Sequence, residues 1–170
     1  MLFRSHGGFG GRTGKVELRS DTLAQLGQPA LPEYLEANES PTSEFPFLLL
    51  TPKQQTRFLN SSYSHLPAHG PLEVPPALEM CASDAAALGL DDNDIAVVHN
   101  HRAALQLPVR ITNRMRPGVV AVPWGWWSHH HGGPTAPVAN SLTSDAATDW
   151  GGGVAFWDTV VAVAPAATRQ

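Results

Sequence analysis

The amino-acid sequence predicts a mainly β fold, a small closed barrel with one or two short helices and long loops. Five or six apolar runs of strand length recur between turns marked by glycine, proline and asparagine, with one small helix among them. Composition agrees. Only 15% of the 170 residues are charged, while glycine and proline contribute 15 residues each, a mixture that suits loop-rich β structure better than a helical bundle. The 42% of hydrophobic residues suffice for one sizeable core.

Taken in order, residues 1–14 are glycine-rich and predict little packing. Lys15–Leu18 predicts a short strand. Ser20 is placed to cap a turn or two of helix through Leu26, with Gly27 as its stop. Gln28–Glu44, with Pro29, Pro32 and Pro41, reads as an extended connector, so residues 1–44 form a strap from an upstream domain. The barrel is expected over residues 45–165, with 166–170 as a tail. Phe45–Leu50 is continuously apolar and predicts a strand buried on both faces. Leu78–Cys81 predicts a second strand, and Ser83 a cap for the helix Asp84–Leu88, stopped by Gly89. The Asp91–Asp94 turn precedes a strand at Ile95–His99, and Asn100–Arg102 predicts a hairpin turn. Leu105, Leu107, Val109 and Ile111 alternate with polar or proline positions, so one face of that strand points inward. Pro108 within it argues for an edge or a bulge. Arg116-Pro117-Gly118 predicts a turn into Val119–Val122, and the last strand is expected at Thr159–Val163. Between them, Pro123–Ala155 carries no regular pattern. Loops this long in a compact domain are functional or disordered, which makes this one the place to expect a ligand.

Several function classes are excluded. A net charge of -4 provides no basic field for nucleic acid. The lone Cys81 excludes disulfide frameworks, CxxC zinc sites and a protein-held iron–sulfur cluster. No apolar run reaches the ~20 residues of a membrane span, and residues 1–14 hold no hydrophobic signal core. The compartment stays open, with the cytoplasm expected ahead of the periplasm. Walker, GxSxG and strand-borne GxGxxG patterns are absent, and no nucleophile–base pair stands out, so no catalytic residue is assigned.

The constellations that remain suit binding. Trp124, Trp126 and Trp127 offer broad faces for a flat heterocycle or another domain, with plugging of the barrel end as the alternative. His129–His131 invite a metal, but consecutive side chains diverge and no HExxH spacing exists, so no metal ligand is assigned. Asn140 and Asp145 can pair with the edge of a guanine or pterin, and Gly151–Gly153 allow close backbone approach. Thr51–Arg57 leaves the end of an apolar strand, where Lys53 and Arg57 can clamp phosphates, although an ordinary polar loop would read the same way.

Seven blocks in order, Thr13–Leu18, Phe45–Lys53, Arg57–Ser62, Arg114–Val120, Gly125–Trp127, Asn140–Thr143 and Asp149–Gly153, resemble one domain. It is the C-terminal molybdopterin-dinucleotide-binding domain of molybdenum oxidoreductase large subunits in the dimethyl sulfoxide reductase family. The similarity spans about residues 13–164. It implies a double-psi β-barrel of the aspartate-decarboxylase-like architecture and a role in holding molybdopterin guanine dinucleotide. The molybdenum ligand would come from domains outside this sequence. On this resemblance the cofactor-binding residues are Thr51, Lys53, Gln54, Gln55, Thr56, Arg57, Asn60, Trp124, Trp126, Asn140, Ser141, Asp145 and Gly152. The implied partners are the remaining domains of the large subunit, with an iron–sulfur subunit as a further candidate. Two features depart from the family pattern: Asn100-His101-Arg102-Ala103, where a turn rich in Asp, Arg and Gly is usual, and the His129–His131 run. The expected function is cofactor holding without turnover by the chain alone. The alternatives are a stand-alone barrel subunit or interaction module serving a separate catalytic subunit and, furthest behind, a His-dependent metalloenzyme.

Overall fold

The computed structural model describes residues 9, 11, 13–53, 66, 68, 75–128, 136–148 and 151–167. The chain forms two compact units that divide between Glu36 and Ala37. In the first, helix α1 spans Asp21–Gln25. Ser20 caps it as expected, its Oγ accepting from the Leu23 N–H at 3.2 Å, and Gly27 follows with φ 78°. No residue of α1 is buried. Lys15–Leu18 is irregular and exposed rather than a strand, because an extended run acquires its ladder only from a paired neighbour.

The second unit holds a closed six-strand barrel. Its strands are β1 (Phe47–Leu50), β2 (Leu78–Met80), β3 (Ile95–His99), β4 (Ala104–Ile111), β5 (Val119–Ala121) and β6 (Val160–Pro165). Helix α2 (Ala82–Leu88) follows β2, and a single-turn helix α3 (Ala139–Leu142) lies between β5 and β6. Around the barrel the order is β1-β5-β2-β4-β3-β6, and β6 closes on β1. The β1/β5 and β2/β4 pairs are parallel and the other four antiparallel, in keeping with the expected double-psi arrangement. Alternate residues fill the interior. Leu49, Leu78, Met80, Val98, Val109, Val120 and Val161 are all at most 1% exposed, and burial on this scale contributes about 1.5–3 kcal/mol per large apolar side chain.

Three local expectations change. β1 does not bury both faces: Phe47 and Leu49 point inward, while Leu48 and Leu50 are only half-buried. A closed barrel has one inside, so even an apolar run alternates. Ser83 lies inside α2 and does not cap it. The N-cap is Cys81, which is buried and directly follows β2, with its Sγ 3.1 Å from Ser83 Oγ. Pro108 is neither bulged nor on an outer strand, since β4 lies between β2 and β3. It faces Ile95 in a non-hydrogen-bonded pair, because the Asn100 N–H donates to Ala103 O and the Val109 N–H to Asp94 O. Its nitrogen therefore turns towards β2, whose pairing with β4 begins only at Val109. The missing N–H therefore falls just before that ladder begins.

Candidate functional site

One end of the barrel collects the ends of three neighbouring strands. β1 and β5 run parallel, so both exit there, and β6, antiparallel to β1, enters there. Backbone bonds carry the β1/β5 pairing past the strands: the Val122 N–H donates to Leu50 O at 2.9 Å and the Trp124 N–H to Pro52 O at 3.1 Å. Thr51, Lys53 and Trp124 are thereby set side by side by sheet register. Facing them is the β5–β6 connection, which contributes α3 and the segment entering β6. Between these two walls lies a cleft of about 700 Å³ lined by Thr51, Lys53, Trp124, Asn140, Thr143, Val154, Phe156 and Trp157.

Within the cleft Thr51 is buried and Lys53 exposed, while Trp124 is half-buried against the core. Asn140 is exposed on α3. Phe156 and Trp157 stand out at 38% and 51% exposure, their rings 5.2 Å apart and tilted by 38°. Large aromatics left this accessible at a concave site offer flat faces for stacking. The approach to β6 is itself fixed, with the Thr159 hydroxyl donating to Phe156 O at 3.1 Å and Asp158 accepting from the Asn38 backbone and side chain.

Four expected residues, Thr51, Lys53, Trp124 and Asn140, thus share one cleft. Trp126 does not line it. Trp126 lines two smaller hollows, of about 230 Å³ and 300 Å³, and Trp124 and Asn140 also border the first of these. Ser141 turns inward to its own helix, its Oγ accepting from the Val138 N–H at 3.1 Å. Asp145 is exposed and does not line the cleft. Gly152 has φ 62° in a short excursion in which Ala147 bridges Val154 and the Gly152 N–H donates to Thr148 O. That excursion delivers Val154 to the cleft. Gln54, Gln55, Thr56, Arg57, Asn60 and His129–His131 lie outside the described residues. Among the described residues no group of three or more His, Cys, Asp or Glu side chains is placed to hold a metal, and no helix is long and apolar enough to cross a membrane.

Sequence reasoning missed Thr143, Val154, Phe156 and Trp157. Phe156-Trp157 carried a usable signal, two adjacent aromatics just before a strand of alternating burial, where at most one can point into the barrel. It also missed the turn that holds the second wall. Asn100, 8% exposed, donates through Nδ2 to Leu142 O (2.9 Å) and Val160 O (3.1 Å). Arg102 donates from Nε to Leu142 O (2.8 Å) and grips Glu39 with both terminal nitrogens (2.6 and 2.9 Å). Glu39 in turn accepts from the Val160 N–H at 3.3 Å. Hydrogen bonds from Arg102 are the leading reason that the Glu39 carboxyl is held below its ordinary value of 4.5; burial opposes this, and the Val160 amide and the nearby charge of Arg102 add to it.

Comparison with known proteins gives a consistent result. The family model described as "Molydopterin dinucleotide binding domain" matches residues 47–160. The "Probable oxidoreductase YoaE" of Bacillus subtilis is 34% identical over 145 residues, covering 85% of this chain and 20% of that protein. The "Trimethylamine-N-oxide reductase" of Haemophilus influenzae is 30% identical over 152 residues, covering 80% of this chain and 18% of that protein. Among solved structures, acetylene hydratase from Pelobacter acetylenicus superposes with a TM-score of 0.74 at 20% identity, over 94% of this chain and 24% of that one, a likeness of fold. The chain spans about a fifth of the length of these two relatives.

Proposed function

The chain belongs to the molybdopterin dinucleotide-binding domain family of molybdenum oxidoreductases, and on that premise we propose that the cleft at the β1/β5/β6 end grips the guanine and pyrophosphate portion of the cofactor. The observation that carries this reading is the convergence of Thr51, Lys53, Trp124 and Asn140 on one cleft from separate stretches of chain. The donor set fits the group. Lys53 supplies an exposed ammonium for a phosphate oxygen. Asn140 offers two donors and an acceptor to a purine edge, and Trp124, Phe156 and Trp157 offer aromatic faces. About 700 Å³ lies within the ~300–1,000 Å³ of sites that enclose small organic ligands.

When bound, the cofactor would supply the redox chemistry through its metal. This chain's own residues would bind, orient and shield its nucleotide end. We read the chain as one domain of a longer oxidoreductase whose metal-ligating and substrate-contacting residues lie in the remaining domains, which are then its partners. The exposed Phe156 and Trp157 support a site that is completed by another surface.

Titration of the chain with GDP, followed by backbone amide shifts, tests the assignment. Saturable shifts at Thr51, Lys53 and Asn140–Thr143 are expected. If those amides stay unmoved at millimolar GDP, the cleft is not the nucleotide site.

A further inference from the structure

A four-residue helix cannot hold itself in place. Closing one turn is entropically unfavourable, so α3 depends on tertiary contacts for its position. Its buried side chains, Ala139 and Leu142, set how deeply it sits in the barrel mouth. Packing of that kind is non-directional and leaves rotation about the buried contact weakly determined. Rotation is what decides where Asn140 and Thr143 point, since both lie within two residues of Leu142.

The direction comes from the β3–β4 turn. Asn100 and Arg102 both donate to the Leu142 carbonyl, one of the helix-end acceptors that α3 cannot satisfy internally. The same two residues reach the entry of β6, Asn100 through Val160 O and Arg102 through Glu39, whose carboxylate accepts from the Val160 N–H. One cluster thereby ties α3, which carries Asn140 and is followed by its C-cap Thr143, to the strand start that follows Phe156 and Trp157. Arg102 and Glu39 are themselves mostly buried, with 22% and 18% of their side chains exposed, and neither lines the cleft.

We propose that Arg102, braced by Glu39 and seconded by Asn100, is a positioning residue that sets the Asn140–Thr143 wall against the Phe156–Trp157 wall and so tunes nucleotide affinity without touching the nucleotide. This rests on the cleft being the nucleotide site. The guanidinium suits the task because its planar fork serves one carboxylate bidentately while Nε serves a carbonyl, an arrangement lysine cannot reproduce.

Arg102→Lys, Arg102→Ala and Glu39→Gln are compared with the unaltered chain by amide hydrogen exchange without ligand and by GDP titration. Faster exchange at Thr143 and Val160 is expected, with the Trp124 amide unchanged, and GDP affinity should fall by roughly 10-fold, the scale of losing an orienting outer contact. Shifts induced by GDP should persist at Thr51 and Lys53 and shrink at Asn140–Thr143. Arg102→Lys and Glu39→Gln keep the test open should Arg102→Ala fail to fold. Unchanged exchange at Thr143 overturns the proposal whatever GDP does. Altered exchange with undiminished affinity in folded Arg102→Lys and Glu39→Gln also overturns it. Absence of GDP binding by the unaltered chain would instead overturn the reading of the cleft, and the affinity claim with it.

Discussion

The two walls of the cleft are built on different principles. Thr51, Lys53 and Trp124 stand where they do because β1 and β5 are parallel neighbours whose backbone bonds continue to Trp124 N–H and Pro52 O. Their placement follows from the barrel itself. Asn140, Thr143, Phe156 and Trp157 belong to a connection whose described residues include the turn of helix α3 and an isolated bridge. They are held by side chains of other elements: Asn38 on Asp158, and Asn100, Arg102 and Glu39 on α3 and Val160. A wall made of ladder bonds fails only with the barrel. A wall pinned by side chains can loosen alone, which gives the cleft one rigid half and one adjustable half.

Substitutions separate the halves. Leu49→Ala removes a fully buried side chain from β1 and should cost about 3 kcal/mol in chemical denaturation, taking both walls with it. A loss well under that would mean the first wall is not anchored by the barrel core. Arg102→Ala should cost about 2 kcal/mol, the scale of hydrogen bonds to a charged group left without their partner. Lys53→Ala should be nearly neutral for stability, within about 0.5 kcal/mol for an exposed residue, yet weaken GDP roughly tenfold through one lost charge-assisted contact. Equal stability losses for the two substitutions would erase the distinction between a positioning and a contacting residue.

Acid should act on the second wall first. Glu39 is held below its ordinary 4.5 in the folded chain, so the unfolded chain takes up that proton at higher pH. The stability this group contributes is present in full above that value and is lost as pH falls through the lower folded one. Below about pH 4.5, protection of the Thr143 and Val160 amides, taken relative to intrinsic exchange at the same pH, should therefore fall in the unaltered chain, with a weaker pH dependence in Glu39→Gln. Ser141→Ala, which removes the acceptor for the Val138 N–H, should cost about 0.5–1 kcal/mol in thermal melts, without the tenfold affinity loss predicted for Arg102 and Lys53.

Much of the barrel was legible beforehand. The strand Ile95–His99 and the inward side chains Leu105, Leu107 and Val109 are readable from the chain, because alternation over a strand has a period that local sequence displays directly. Gly27 and Gly89 marked helix ends because their positive φ is a local property. Errors came where a neighbour decides. Lys15–Leu18 had strand-like residues and no strand to pair with, and Ser83 had a capping residue type in a helix that had already begun at Ala82.

The same division runs through the site. Residue type and the family resemblance point to thirteen residues, of which Thr51, Lys53, Trp124 and Asn140 line the cleft; a strand-exit lysine, a tryptophan and an amide announce their chemistry in the chain. Sequence does not show that Asn140 and Trp124 line the cleft while Asp145 and Trp126 do not, because that depends on which way one turn of helix and one loop face. Nor could it find Arg102, which reads as an ordinary hairpin residue until Glu39, 63 positions away, lies against it. Sequence by itself determined the periods, the turns and the donor types, all set by local stereochemistry. Only the tertiary structure decided which donors share a cleft, because closing a barrel brings together strand ends far apart along the chain.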